Sequence, residues 1–412
     1  MCKSAFQSSW HKIRLDMFSF YLYTIIQFIK MKLKTSIALF ALLISFANNT
    51  FSQFNLRLVV TEVATKTQDD IYVSGNFNNW NPRDENYKLK PFGGGRKGVV
   101  VKDIPAGNYA FKFTRGSFDR VECMADGRDI EDRVVDLEAD IVQECSIKGW
   151  KDNYPDKPKP YTASPQVKII DTAFAIPQLN RKRRIWIYLP KGYAAGSKTY
   201  PVLYMQDGQN LFNEQTAAFG EWGVDECLDS MQKANGKECI VVGIDNGGKY
   251  RLSEYAPYSF ENNKTKITAE GKQYVDFLAN TLKPYVDAKY RTKKSFENTF
   301  VAGSSMGGLI SLYAVLQYPS VFGGAGAFSP SFWTAKEIYV DAATFKNPNH
   351  IKLFFYAGEK EGGTMTADMN KMADIFETKS DTKVFRVTNK IAQHSEKYWR
   401  LEFAEFFNWM LK

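Results

Sequence analysis

The chain is poor in histidine. Three residues of this type among 412 leave few choices for any chemistry that needs an imidazole. Cysteine is scarce too, at five, and no histidine stands near any of them, so the ligand spacing of a zinc site is missing. Internal repeats and low-complexity tracts are absent, which excludes repeat and fibrous architectures. A strong charge of one sign is also missing once the N-terminus is set aside. The formal charge is +9, but residues 1–52 hold six Lys/Arg and one acid, a surplus of five, which leaves +4 for the rest. So weak a basic excess gives no argument for a nucleic-acid partner. The densest basic cluster, Arg181 to Arg184, leads into "IWIYLP" and reads as a solvated strand entry. What is plentiful is aromatic surface, at 15%, which serves cores and also the binding of carbohydrate or aryl groups.

The N-terminus reads as processed. "MKLKTSIALFALLISFANNTFSQ" opens at Met31 with two lysines, continues in an apolar core over 37–47, and offers small residues around Thr50 and Ser52. This is the pattern of a secretory leader, and its core is too short for a membrane span. The upstream stretch 1–30, with "FSFYLYTIIQFI", reads as the product of a start codon assigned too early; the alternative is an N-terminal membrane anchor. No cysteine follows the cleavage region, which argues against a lipoprotein anchor. The expectation is an exported chain, periplasmic or extracellular, with no stable membrane association after cleavage. Export implies an oxidising compartment. Cys123 with Cys145, and Cys227 with Cys239, each fall within one expected domain; local disulfides and buried free thiols both fit.

At this length two domains with extras are expected. Over 53–150 the runs "LRLVVTEV", "DDIYVSGNF", "KGVVVKDI" and "NYAFKFTR" are separated by Gly, Asn, Asp and Pro, which predicts an all-β immunoglobulin-like sandwich. Residues 151–165, with four prolines, read as a semi-rigid linker. From 166 to 412 continuous apolar strands alternate with amphipathic helices such as "EGKQYVDFLANTLKPYVDAKY". That pattern predicts a mostly parallel sheet covered on both faces.

Within this second region "FVAGSSMGGLISLYA" carries Gly303-Ser304-Ser305-Met306-Gly307, a G-x-S-x-G pattern between an apolar strand and a helix. A glycine-rich turn is the plain reading. The strand–turn–helix context points instead to a nucleophile elbow presenting Ser305. A serine hydroxyl needs a base. His11 lies in the segment expected to be removed, and His350 precedes any usable acid. His394 follows the last strand and precedes the last helix. The acid should follow "IKLFFYAG", where Glu361 is favoured over Glu359 and, more distantly, Asp368. The backbone N–H groups of Met306 and Gln209 are the candidate oxyanion donors.

The stretches "YPVLYMQDGQNLF", "IVVGIDNGGKYRLSEYAPY", "VAGSSMGGLISLYAVLQYPSVFGGAGAFSPSFW" and "HSEKYWR" resemble the esterase D family, which includes feruloyl, acetylxylan and siderophore (enterochelin) esterases. The resemblance implies an α/β-hydrolase fold, a Ser-acid-His triad and carboxylic-ester hydrolysis. It also implies that Arg251, Glu254 and Tyr255 line the site and that Trp333 forms a wall beside Ser305. The chain departs from the family pattern in having Ile-Ala-Gln before His394, where many relatives have glycines, and Glu where many have Asp. "IYVSGNFNNWNP" and "IPAGNYAFKFTRGSF" resemble glycogen-binding-type modules, which implies Trp80, Lys112 and Phe118 as sugar contacts. The expectation is a secreted serine esterase acting on acyl groups, feruloyl or acetyl, of polysaccharides, with no metal or organic cofactor. Alternatives are a siderophore trilactone esterase, and a glycan-binding protein with an idle hydrolase domain.

Overall fold

The computed structural model describes residues 53–154, 158–262, 265–346 and 349–412. The leader, the upstream stretch, Cys2 and His11 lie outside these residues. Phe54–Lys412 forms one compact unit. Among the described residues no helix is long and apolar enough to cross a membrane.

The centre of the molecule is an eight-stranded sheet. Its strands are β1 (Val167–Ile176), β2 (Arg181–Tyr188), β3 (Val202–Gln206), β4 (Ile240–Ile244), β5 (Thr299–Ser304), β6 (Gly324–Phe328), β7 (Ile351–Gly358) and β8 (Thr382–Asn389). They lie in the order β1-β2-β4-β3-β5-β6-β7-β8. The first two pairings are antiparallel and the remaining five parallel. The parallel strands β3 to β6 are buried along their whole length, as their unbroken apolar character requires. Helices cover both faces: α1 (Val224–Asn235), α2 (Gly271–Lys289), α3 (Met306–Gln317), α4 (Met365–Glu377) and α5 (Glu396–Met410). One core joins Val202, Val242 and Val301 to Leu278 and Leu309, and another joins Leu203, Phe300 and Phe354 to Trp222, Trp399 and Phe406.

The amphipathic stretch read as one helix forms α2 with a π-helical turn at Leu278–Leu282. Pro284 explains the departure. It has no N–H to donate, and its ring crowds the carbonyl one turn back, so the ladder widens just before it.

The region 53–150 is β-rich. A four-stranded sheet contains Gln53–Val63, Lys90–Gly93, Arg96–Pro105 and Ile141–Ile147; a three-stranded sheet contains Tyr72–Gly75, Gly107–Thr114 and Arg133–Leu137. Leu56, Leu58 and Ile147 from the first meet Val73, Phe111 and Phe113 from the second in one shared core. The four described cysteines are all free; Cys123, Cys145 and Cys239 are buried and Cys227 is half-buried.

This β-rich region is fastened to two loops at the carboxyl ends of β7 and β8. Asn108 Nδ2 donates to Glu359 O at 3.3 Å, and Gly363 N donates to Asn108 O at 3.2 Å. Asp132 N donates to Gln393 Oε1 at 3.0 Å while Gln393 Nε2 donates to Asp132 O at 3.1 Å. Lys397 pairs with Glu131, and Lys360 with Asp136 at 3.2 Å. The segment after Trp150 is not a free tether. Thr162 N and Ser164 N bond to Asn213 and Asp225 of the hydrolase region.

Gly362 sits at this junction with φ 76°. A Cβ there would lie 2.1 Å from Asn76 Nδ2 and 2.9 Å from Asn108 O, whereas one on Gly363 would meet open space. Gly362→Ala is therefore expected to cost roughly 1–3 kcal/mol from the left-handed backbone and the steric clash together. Gly363→Ala should cost only the backbone part, about 1 kcal/mol. Denaturant midpoints of the two variants check this; equal shifts would contradict it.

Candidate active site

Ser305 stands between β5 and α3 with φ 58° and ψ −124°, a conformation that non-glycine residues rarely adopt. Its surroundings force the turn. Ser305 N donates to Phe328 O at 2.8 Å, and Ser331 N donates to Ser305 O at 3.1 Å. A Cβ on Gly303 would come within 2.9 Å of Gln206 and of Gly307, so only glycine lets strand, turn and helix close on one another.

The imidazole of His394 meets the carboxylate of Glu361, Nδ1 to Oε2, at 2.7 Å. Glu361 is buried, and its other oxygen accepts from Gly358 N and Ser329 Oγ, both at 2.6 Å. Trp399 Nε1 donates in turn to Ser329 Oγ at 2.8 Å, and its ring stands edge-on to His394 at 4.9 Å. A buried carboxylate with its lone pairs filled by donors is held in one rotamer. Glu359 and His350 are exposed, and Asp368 bonds to Thr364 on the loop before α4, so none of the three joins this pair.

The Ser305 hydroxyl is bonded to Ser331 Oγ at 3.1 Å, not to His394. Catalytic hydrogen bonds are commonly loose without substrate. The Met306 N–H opens α3, and that of Gln209 lies in the turn Gly208–Asn210 after β3. The Gln209 side chain accepts from Asn246 N at 3.1 Å, and its carbonyl accepts from Thr216 Oγ1 at 2.7 Å, which fixes the turn.

Of the residues expected to line the site, Trp333 is 45% exposed, two positions from Ser331. Arg251 is committed to Asp207 through two bonds of 2.6 and 2.8 Å. Glu254 and Tyr255 correct the expectation. Both are fully buried: Glu254 is gripped by Arg181 and Arg183, and the Tyr255 hydroxyl accepts from Asp207 N at 3.3 Å. They belong to the packing beneath the site, because the charges that look available in sequence neutralise one another inside.

In the β-rich region Trp80 (φ 56°) and Phe118 lie on adjacent turns, since Thr114 Oγ1 bonds to Pro82 O and Arg83 packs over Gly116. Phe118 is exposed. The Lys112 ammonium is paired with Asp132 at 2.9 Å.

Sequence reasoning missed Ser329, Ser331, Gln393, Asp207 and Glu396. Two of these carried a signal: Asp207 as the residue before glycine in a strand-ending "QDG", and Gln393 as the last residue of the Ile-Ala-Gln departure before His394. Glu396 lies two residues past His394. Burial pushes its carboxyl up to about 7; the Asp207 charge adds to this, and His394 and Arg251 oppose it. Its Oε1 accepts from Asn210 Nδ2 at 3.2 Å.

Because folded Glu396 holds its proton more tightly than the unfolded chain does, its contribution to stability is full below about pH 4.5 and is lost as pH rises to about 7. The loss is on the order of 3 kcal/mol. Glu396→Gln keeps the bond from Asn210 and removes the titration. The variant is expected to gain stability over wild type on going from pH 5 to pH 8, read from urea midpoints at each pH. Parallel pH profiles would refute this.

Comparison with known proteins extends the geometry. Residues 176–410 match the family described as Putative esterase. The uncharacterized protein YbbA of Bacillus subtilis is 28% identical over 246 residues, which cover 55% of this chain and 92% of that protein. The endo-1,4-beta-xylanase/feruloyl esterase of Xylanibacter ruminicola is 31% identical over 185 residues, 42% of this chain and 22% of that one. The siderophore enterobactin esterase of Emericella nidulans is 33% identical over 169 residues, 37% of this chain and 53% of that one. In fold, the crystal structure of the enterobactin esterase FES from Shigella flexneri aligns with a TM-score of 0.52 at 16% identity, over 84% of this chain and 88% of that one. The chain belongs to the Putative esterase family and is a carboxylic-ester hydrolase.

Proposed function

We propose that the protein is an exported serine esterase that removes feruloyl or acetyl groups from polysaccharides. The observation that carries the serine mechanism is the strained Ser305, set between β5 and α3, on the same edge of the sheet as the 2.7 Å His394–Glu361 pair. Ser305 Oγ attacks the ester carbonyl and passes its proton to His394 Nε2. Glu361 holds the ring through Nδ1–H and stabilises the imidazolium. The oxyanion collects the N–H groups of Met306 and Gln209, neither of which has a protein acceptor among the described residues. The imidazolium then protonates the departing alcohol, and the acyl group stays on Ser305. Water, deprotonated by His394, attacks the acyl-enzyme and releases the acid.

Three features support a polysaccharide ester. A relative is named as a xylanase and feruloyl esterase. Trp333 offers an exposed aromatic wall near Ser305. The β-rich region, taken as an immunoglobulin-like sandwich of the glycogen-binding type, presents the rings of Trp80 and Phe118 for stacking on sugar. Lys112 is not counted among the sugar contacts, because Asp132 holds it. The lysine-led apolar segment from Met31 supports export. The relative named as a siderophore enterobactin esterase favours a second reading, trilactone hydrolysis.

The test is turnover of an activated acetate, methyl ferulate, acetylated xylan and a catecholate trilactone by wild type and by Ser305→Ala. Wild type should turn over methyl ferulate or acetylated xylan in preference to the trilactone. The variant should lose roughly 10⁴- to 10⁶-fold in turnover. Preference for the trilactone would replace the polysaccharide reading. Equal activity in both proteins would remove Ser305 from the mechanism.

A further inference from the structure

Three carboxylates that the esterase chemistry does not use gather where the segment after 158 crosses the start of α1. One carboxylate oxygen from each of Glu221, Asp225 and Glu226 lies within 4.8 Å of the other two. Glu221 and Asp225 are buried and Glu226 is half-buried. Each of the first two has one oxygen accounted for. Thr162 Oγ1 donates to Glu221 Oε2 at 2.9 Å, and Ser164 N donates to Asp225 Oδ2 at 2.7 Å. The rest are not. Glu221 Oε1, Asp225 Oδ1 and Glu226 Oε2 are closed to solvent and have no hydrogen-bond partner, and the Ser164 hydroxyl lies beside Asp225.

Asp225 and Glu226 lie in the first turn of α1, where the helix dipole favours acids. The dipole explains acids that face water. It supplies no partner for oxygens sealed against one another. Arg400, packed on the Gly223 backbone, offsets part of the charge at Glu221. One guanidinium does not balance three carboxylates. Either protons or a cation must do the rest, because sealed and unpaired carboxylates lose hydration with nothing in its place.

The donor set selects the cation. All of its atoms are oxygens, which suits a hard ion. Calcium binds oxygen at roughly 2.3–2.6 Å and takes several carboxylates at once, so two ligands on one ion can stand up to about 5.2 Å apart; magnesium, at about 2.0–2.1 Å, allows about 4.2 Å and keeps most of its waters. We propose that Glu221, Asp225 and Glu226, with the Ser164 hydroxyl, bind a calcium ion. The ion would pin residues 162–164 to α1. It would also stiffen the turn that carries Gln209, because Trp222 N donates to Asn210 O at 2.9 Å.

The experiment uses the full chain. Metal content is measured after purification in calcium-containing buffer and desalting. Melting is then followed in EGTA, in calcium and in magnesium. About one calcium per chain is expected. Saturating calcium should raise Tm by roughly 5 °C or more over EGTA, with a smaller response to magnesium. Glu226→Gln, at a half-buried position with no hydrogen bond to lose, should weaken calcium binding by about tenfold or more. Ser305→Ala should keep the full response, which separates this site from the ester chemistry. Superimposable melting curves in calcium and EGTA, with no bound calcium, would overturn the proposal and leave a proton-sharing cluster. A calcium shift undiminished in Glu226→Gln would overturn the ligand set, and a larger magnesium response would overturn the choice of ion. Should Glu226→Gln fail to fold, the wild-type metal content and melting curves decide.

Discussion

The buried carboxylate of Glu361 is the constraint around which the site is built. A charge closed to water must find donors, and here they are Gly358 N, Ser329 Oγ and His394 Nδ1. Each donor fixes a different element. Gly358 ends β7, Ser329 follows β6, and His394 sits on the loop after β8. Satisfying one buried acid therefore sets the relative positions of three strand ends. Trp399 extends the same network into α5 through Ser329. The imidazole is oriented as a consequence of burying the acid well, not by a separate device.

Ser305 is held by a different economy. Its backbone conformation costs of the order of 1–3 kcal/mol and persists only because neighbours over-determine it. The hydrogen bonds to Phe328 and from Ser331, together with the close approach at Gly303, leave the chain no relaxed alternative. The two halves of the site thus share β6 and its following turn. Phe328 and Ser331 hold the serine, while Ser329 between them holds the acid. A distortion of this turn would reach both groups at once.

The strained turn at Ser305, the mostly parallel sheet and the place of His394 were legible because each rests on local pattern: glycine spacing, apolar runs, and position before the last helix. The carboxylate partner of His394 was legible only as a choice, since Glu359 and Glu361 differ by burial, which two loop charges one residue apart do not reveal in sequence. Ser329 and Ser331 were illegible because "FSPSF" announces neither the left-handed backbone of Ser329 nor the partners of either serine. Glu254 and Tyr255 misled for the opposite reason. They stand in a stretch that resembles the family's site-lining one, yet Arg181 and Arg183, some seventy residues earlier, draw Glu254 inward. The Glu221–Asp225–Glu226 cluster looks like an ordinary acidic first turn until Thr162 and Ser164 are folded over it.

The departure from the family pattern before His394 now has a physical reason. Ala392 is buried, and its carbonyl accepts from Lys360 N at 3.0 Å, so it joins the histidine loop to the acid loop. Gln393 spends both ends of its amide on the backbone of Asp132. A glycine in place of Gln393 would lose both bonds to Asp132, whereas the Ala392 bond is made by backbone and asks nothing of the side chain. In this chain the β-rich region holds the histidine loop through Gln393 and the acid loop through Asn108, one on each side of the 2.7 Å pair. The loops that carry His394 and Glu361 are therefore fixed from outside the hydrolase region. Flexibility that glycines would give the histidine loop has been exchanged for a docked partner. The β-rich region is thus a structural part of the site's rim, whether or not sugar ever stacks on Trp80.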